Sequence, residues 1–240
     1  MTELDSKVRR ACQMYGLIED GDRIAVGLSG GKDSTALLWA LAKLRGYSDK
    51  HFELVGLTID PCFGGKPGDY SSLTRLCESL GVEHHIKTDN IFQVVFEIRK
   101  ESNPCSLCAR LRRGGLNRMA KELGCNKVAL GHHLDDASAT FWMNFVNEGR
   151  FASFSPKTYL DRSDVTLIRP LVLCREKEVE RAVKENGLPV IKSGCPVNKL
   201  TERQRITEFM ERLGEGEDIS LLTFKAMQKS GISGFGTENE

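Results

Sequence analysis

Three groups of residues in this sequence have the types and spacing to do chemistry. The first is Ser29-Gly30-Gly31-Lys32-Asp33-Ser34, between a short apolar run (Arg23 to Leu28) and a helix-like run (Thr35 to Leu44). Gly30 and Gly31 let the backbone turn tightly and approach a ligand. The N–H groups and positive dipole end of the following helix favour an anion. Ser29 and Ser34 offer hydroxyls and Lys32 a cation. Asp33 would repel a phosphate unless Mg²⁺ stood between them, so a magnesium role is expected of it. The spacing is neither G-x-x-x-x-G-K-S/T nor G-x-G-x-x-G, so this is neither the ordinary kinase or GTPase loop nor the dinucleotide fingerprint.

The second group is Cys105-Ser106-Leu107-Cys108, preceded by Pro104 at the mouth of an expected helix. Thiols at a helix N-terminus are expected to have lowered pKa values, which suits metal ligation or sulfur chemistry. Alone, C-x-x-C fits zinc, an iron–sulfur cluster or a redox pair. No second C-x-x-C is present, which speaks against a four-cysteine zinc ribbon. Cys195, between Gly194 and Pro196, belongs to an expected turn and is the third thiol candidate. Cys12, Cys77, Cys125 and Cys174 lie in helical or apolar contexts and are expected in the core; Cys62, in a loop after a strand, is read as structural.

The third group is Gly131-His132-His133-Leu134-Asp135-Asp136, after the run Lys127 to Gly131. Asp135 or Asp136 can cap the next helix, and carboxylates here also suit a cation that accompanies bound phosphates. His132 and Asp136 are the site candidates. Asp60 ends another expected strand, as a nucleotide contact or a solvated strand end. Arg110, Arg112, Arg113 and Arg118 follow the cysteines. Arg110 and Arg113 share a face by i,i+3 spacing and are the RNA-binding candidates, against a solvated basic face. Arg169, before Pro170, fits either a phosphate contact or a surface turn.

Strands are expected at Arg23–Leu28, Glu53–Asp60, Glu83–Lys87, Lys127–Gly131 and Thr166–Ile168. Helices are expected up to Ile18 and over Thr35–Leu44, Tyr70–Leu80, Leu107–Leu123, Asp135–Asn147, Arg175–Asn186 and Glu202–Leu213. The alternation implies an α/β fold, a parallel sheet with helices on both faces, and ligands beyond the carboxyl ends of its strands. The expected organisation is an N-terminal helical segment (1–22), a main domain (23–215) with a C-x-x-C insertion near 103–113, and a partly flexible C-terminal tail (216–240) whose last ten or so residues fray.

The 240 residues suffice for one large α/β domain. A net charge of +1 confines any RNA contact to a local patch. No run of about 18 apolar residues exists, so no membrane span is expected. The charged N-terminus lacks an apolar signal core. A cytoplasmic protein is expected, in which eight cysteines serve as core residues, ligands or redox groups rather than disulfides.

The segment Ser29 to Ser34 after an N-terminal strand resembles the PP-loop ATPases, or N-type ATP pyrophosphatases, with a Rossmann-like fold of the adenine nucleotide alpha hydrolase type. That resemblance implies cleavage of ATP between the α and β phosphates, an adenylated substrate oxygen and departing pyrophosphate. It implies an ATP site of Ser29, Gly30, Gly31, Lys32, Asp33, Ser34, Asp60, Gly131, His132 and Asp136. Together with NPCSLCARLRR (103–113), Gly131 to Asp136 and Ile168-Arg169-Pro170-Leu171, the chain resembles the tRNA 2-thiocytidine synthetase group from about Val8 to Arg205.

In that group three cysteines hold a [4Fe-4S] cluster with one open iron. The implied ligands are Cys105, Cys108 and Cys195, which with Asp33 form the implied catalytic set. The group usually has a second C-x-x-C in its C-terminal region; here Cys195 stands alone. The implied activity is ATP-dependent replacement of a pyrimidine carbonyl oxygen, in tRNA, by sulfur. The implied partners are tRNA and a sulfur donor, either a cysteine desulfurase or free sulfide, with a homodimer left open. Three alternatives stay open: the same chemistry on a small molecule, a cluster-free enzyme using an amine, ammonia or a persulfide, and a non-catalytic module that binds ATP and metal.

Overall fold

A computed structural model describes residues 2–100, 104–196 and 202–236. Its sheet has six strands: β1 (Asp22–Gly27), β2 (Phe52–Asp60), β3 (Glu83–Thr88), β4 (Lys127–Ala129), β5 (Lys157–Leu160) and β6 (Val165–Ile168). The order is β3-β2-β1-β4-β6-β5. All pairings are parallel except β5 with β6, which is antiparallel. The sheet is therefore not wholly parallel as expected. The edge strand β5, four residues long with an exposed–half-buried alternation, carries too weak a pattern to be read in advance.

Strand periodicity assigns side chains to two cores. Ile24, Val26, Leu54, Ala129 and Ile168 face one core; Ala25, Val55, Leu57, Ile59, Val128, Val165 and Leu167 face the other. The first is covered by α1 (Glu3–Met14), α2 (Lys32–Tyr47), α3 (Ser71–Ser79) and, later in the chain, α6 (Glu176–Glu185). The second is covered by α4 (Pro104–Glu122), through Leu116, Met119 and Ala120. Helices on both faces follow, as expected. Leu4, Val8, Ala11 and Cys12 of α1 lie in the first core, so the expected boundary at residue 22 marks no break in packing.

After β4 come α5 (Leu134–Glu148), α7 (Glu202–Gly214) and α8 (Ile219–Ser230). Ala139, Ile206 and Met210 form a small separate core between α5 and α7. The region from 216, expected as a tail, instead contains α8. Asp218 caps it by accepting from Leu221 N–H at 3.0 Å, and Gly231 ends it at φ +67°. Phe235 is fully buried against Tyr15 and Phe224, so the fraying expected of the last ten residues does not extend to it. Residues 237–240 of that stretch lie outside the described residues. Among the described residues, no helix is long and apolar enough to cross a membrane.

Candidate active site

The chain runs from β1 to β2 to β3 on one side of the sheet, then returns to place β4 on the other side of β1. A crevice opens beyond the strand ends at such a switch point. A cleft of about 310 Å³ lies there, lined by Gly27, Leu28, Leu57, Ile59, Leu116 and Leu130 on its apolar side. Ser29, Asp33, Ser34, Gly131, His132, Asp136, Arg112, Arg113 and Arg203 line its polar side.

The loop between β1 and α2 is held from within. Gly30 has φ +86°, a conformation that favours glycine. Ser34 Oγ donates to Gly31 O at 2.9 Å and accepts from Ser29 N–H at 3.2 Å. Its single proton being used, the 3.2 Å contact between the two hydroxyls has Ser29 as donor. Both serines thus shape the loop as it stands. The first turn of α2 then offers N–H groups that the helix itself does not satisfy. Lys32 reaches Glu176 at 2.7 Å and Asp33 at 3.1 Å. Burial opposes its charge, but Glu176 and Asp33 outweigh burial and hold its pKa above the ordinary value.

Gly131 abuts this loop. A Cβ there would lie 2.9 Å from the Asp33 carbonyl carbon and 3.1 Å from Ser34 N, so only glycine fits. His133, next in the motif, is the N-cap of α5. Its Nδ1 accepts from Asp136 N–H at 3.4 Å, while its own N–H donates to Asp136 Oδ2 at 3.0 Å. Its Nε2 stands 3.9 Å from Asp33 Oδ1, so it joins the third motif to the first. Asp136 is buried and pairs with Arg203 at 2.6 Å. Burial pushes its pKa up, but His133, Arg203 and His132 prevail and hold it below the ordinary value. His132 is pushed down to about 4, first by burial and then by Arg169, Arg203 and Arg113, against Asp136. Its ring packs on Phe154 at 5.1 Å, and its Nδ1 is buried without a hydrogen-bond partner.

Cys105 and Cys108 occupy the first turn of α4, with Pro104 at the first helical position. They are part of one continuous helix; residue 103 lies outside the described residues. Their pKa values are raised, by burial first and also by the charge of Cys195, not lowered as the helix terminus suggested. Arg112 opposes the rise at Cys108. Three thiols from two distant segments therefore lie within electrostatic reach of one another.

Cys195 is delivered by a loop that crosses the site. Ile191 N–H donates to Gly30 O at 2.8 Å, and a Cβ on Gly194 would lie 3.3 Å from Phe63. Four residues span at most about 14 Å, so Cys195 lies within that distance of the residue seated on the phosphate loop. Among the described residues, no three His, Cys, Asp or Glu side chains are close enough to share one metal ion. Thiols that each bind a different iron of a cluster need not come as close together as the ligands of one ion. Soft thiols whose charges repel fit such a cationic iron core.

Asp60 does not line the cleft. It is buried, and its carboxylate accepts from Cys62 N–H at 3.0 Å and Gly68 N–H at 2.8 Å, tying down the loop after β2. Cys62 is buried in that loop, as expected of a structural residue. Cys12, Cys77, Cys125 and Cys174 are buried in the core. Arg113 lines the cleft, whereas Arg110 is exposed on α4 and does not. Arg169 is buried under the Phe154 ring rather than in a surface turn. Among the polar residues of the cleft and its contacts, Arg112, His133 and Arg203 were not chosen as site candidates from the sequence. Arg112 and His133 sat in motifs already singled out; nothing in the sequence around Arg203 pointed to the site.

The family model described as a PP-loop domain matches residues 2–212. The tRNA-cytidine(32) 2-sulfurtransferase of Geobacter sulfurreducens is 41% identical over 204 residues, covering 85% of this chain and 79% of its own. That of Syntrophotalea carbinolica is 42% identical over 203 residues, covering 84% and 78%. Among solved structures, the U34-tRNA thiolase NcsA from Methanococcus maripaludis with its [4Fe-4S] cluster gives a TM-score of 0.72 at 23% identity, covering 94% of this chain and 77% of that one. At that identity the likeness concerns the fold. The chain belongs to the PP-loop family, and within it to the group that includes the tRNA-cytidine(32) 2-sulfurtransferases.

Proposed function

We propose that this protein is an ATP-dependent tRNA sulfurtransferase that adenylates the 2-carbonyl oxygen of a cytidine, at position 32, and replaces it with sulfur. The single observation that carries this reading is the placement of α4. Its first turn holds Cys105 and Cys108, and Ala109, Arg112 and Arg113 of the same helix line the ATP cleft. Cys108 to Arg112 is about 6 Å along a helix axis, so adenylation and sulfur delivery meet at one substrate.

In this mechanism Leu28, Leu57, Ile59 and Leu130 take the adenine, and the loop from Ser29 to Ser34 takes the phosphates. Asp33 and Asp136 face the same cleft, and two carboxylates beside a triphosphate are suited to hold the Mg²⁺ that accompanies it. The base's carbonyl oxygen attacks the α phosphorus; the bond from that phosphorus to the bridging oxygen breaks, and pyrophosphate leaves. Arg112 offsets the charge that builds there. His132, uncharged at neutral pH, orients the reacting groups without adding charge. Sulfide then forms the C–S bond, the C–O bond breaks, and AMP carries the oxygen away. Cys105, Cys108 and Cys195 would hold a [4Fe-4S] cluster, which would supply the Lewis-acid chemistry that keeps sulfide available as a nucleophile.

Arg110 and Arg113 hold the phosphates of the tRNA. The sulfur comes from a cysteine desulfurase or free sulfide, the setting is the cytoplasm, and a homodimer would widen the RNA surface. The test is anaerobic purification followed by iron, acid-labile sulfide and visible absorption, beside a Cys105→Ala variant. About four irons per chain, lost in the variant, is the expected result. Zinc, or no metal, would sink sulfur transfer by a cluster and leave adenylation standing.

A further inference from the structure

β1 ends at Gly27, and the phosphate loop begins at Ser29. Between them Leu28 is held on three sides. Its N–H donates to Leu57 O of β2 at 2.7 Å, continuing the ladder. Its carbonyl is met by a side chain: the fully buried Thr58 donates its hydroxyl to Leu28 O at 2.9 Å. Its own side chain lines the cleft and is seated over Gly56, where a Cβ would lie 3.0 Å from Leu28 Cδ1. A peptide unit is planar. Holding the Leu28 carbonyl therefore also sets the direction of the Ser29 N–H, which donates to Ser34 Oγ at 3.2 Å inside the loop.

The Thr58 hydroxyl has one proton, and Leu28 O can only accept it. The 2.9 Å contact between Thr58 Oγ1 and His84 Nε2 then has the imidazole as donor. His84 pairs with Gly56 across the sheet, which leaves room for its half-buried ring. Nδ1 of the neutral ring is an acceptor, and Thr74 of α3 donates to it at 3.0 Å. The other acceptor within reach of that hydroxyl, Tyr70 O, stands farther off at 3.3 Å and already takes the N–H groups of Leu73 and Thr74. Burial first, and then His85, hold the His84 pKa below its ordinary value, so the ring is neutral as this arrangement requires.

We propose that Thr58 and His84 are positioning residues for ATP: a hydrogen-bond relay from α3 through His84 and Thr58 to Leu28 sets the first peptide of the phosphate loop. This rests on the reading of that loop as the ATP site. Neither side chain lines the cleft, so both act through Leu28 and Ser29 rather than by touching the nucleotide. Thr58 fixes the carbonyl. His84, by donating to Thr58 Oγ1, leaves the hydroxyl proton free for Leu28 O alone. The relay thus holds the point where the backbone leaves the sheet, which the ladder of β1 and β2 no longer controls.

The test is calorimetric titration of ATP with Mg²⁺ into the wild-type protein, Thr58→Val, Thr58→Ser, His84→Ala and the double variant Thr58→Val/His84→Ala, with melting temperatures measured beside it. ATP affinity falls roughly 2- to 10-fold in Thr58→Val, the range of one neutral hydrogen bond. Thr58→Ser, which keeps the hydroxyl, restores most of it. His84→Ala weakens binding in the same direction and adds nothing in the Thr58→Val background, because His84 acts only through Thr58. Should Thr58→Val fail to fold, having left the Leu28 carbonyl unpaired, His84→Ala at its half-buried position carries the comparison with wild type. Lower melting temperatures with unchanged ATP affinity would reduce the relay to structural support and overturn the proposal, as would additive losses in the double variant. A wild-type protein that binds no ATP would overturn the reading of the loop and this proposal with it.

Discussion

Gly131 has no room for a side chain, because the backbone of Asp33 and Ser34 already occupies the place of a Cβ. Gly131→Ala therefore pushes the phosphate loop away from β4. The expected loss is about 1–3 kcal/mol of stability together with ATP-dependent pyrophosphate release, read by thermal melting and a phosphate-coupled assay. Unchanged release would mean that the loop need not touch β4. His132 gives a second residue-scale prediction. Folded, it takes a proton only near pH 4, against 6.5 for its ordinary value. Between those values the unfolded chain binds more protons, so stability rises with pH through the window and is lost as pH falls from 6.5 toward 4. Asp136, held low, adds loss in the same direction at more acid pH. Melting temperatures from pH 7 to 4.5 should fall, and His132→Gln should flatten that slope; parallel curves would remove His132 as the cause. Most of the polar residues that line the cleft were singled out at this scale, since serines, glycine, histidine and aspartates stand out by type and spacing. Arg203 was not, because its partner Asp136 is 67 residues away, and sequence spacing carries no sign of such a pair. Asp60 stayed ambiguous for another reason: a strand-end carboxylate looks the same in sequence whether it meets a ligand, solvent or, as here, loop N–H groups.

At the scale of elements, α8 and the turn after it secure the C-terminal region to the body. Phe235 is fully buried between Tyr15 and Phe224, with ring centroids at 6.3 and 5.2 Å. Phe235→Ala should cost about 3–5 kcal/mol, measured by denaturant unfolding, whereas a frayed tail would give no change. The helices with polar–apolar periodicity were readable, and their observed ends differ by few residues from those expected. The misses have physical causes. In α8, Phe224 and Met227 repeat at helical spacing, but the flanking glycines and acids read as tail. In β5, stability comes from its pairing with β6, a tertiary contact that four residues cannot encode alone. The raised thiol pKa values at α4 have the same origin. A helix terminus favours thiolate, but burial first, and then the nearness of Cys195, 87 residues beyond Cys108, disfavour it.

Across the whole molecule, one geometric relation links ATP use to sulfur chemistry. The loop from Ile191 to Cys195 leaves the phosphate loop at Gly30 and ends beside the first turn of α4, while α4 continues into the ATP cleft. The open α/β fold makes this possible, because a crevice at the switch point collects loops that are far apart in sequence. The alternation of strands and helices made that fold legible. The crossing itself was not, since it depends on Ile191 meeting Gly30 across 161 residues. The most direct measurement is nucleoside analysis by mass spectrometry of tRNA incubated anaerobically with the iron-loaded protein, sulfide and ATP. The account predicts 2-thiocytidine only when ATP is present, and none with Cys105→Ala. Unmodified cytidine in a reaction that consumes ATP, or thiolation that persists in Cys105→Ala, would contradict it.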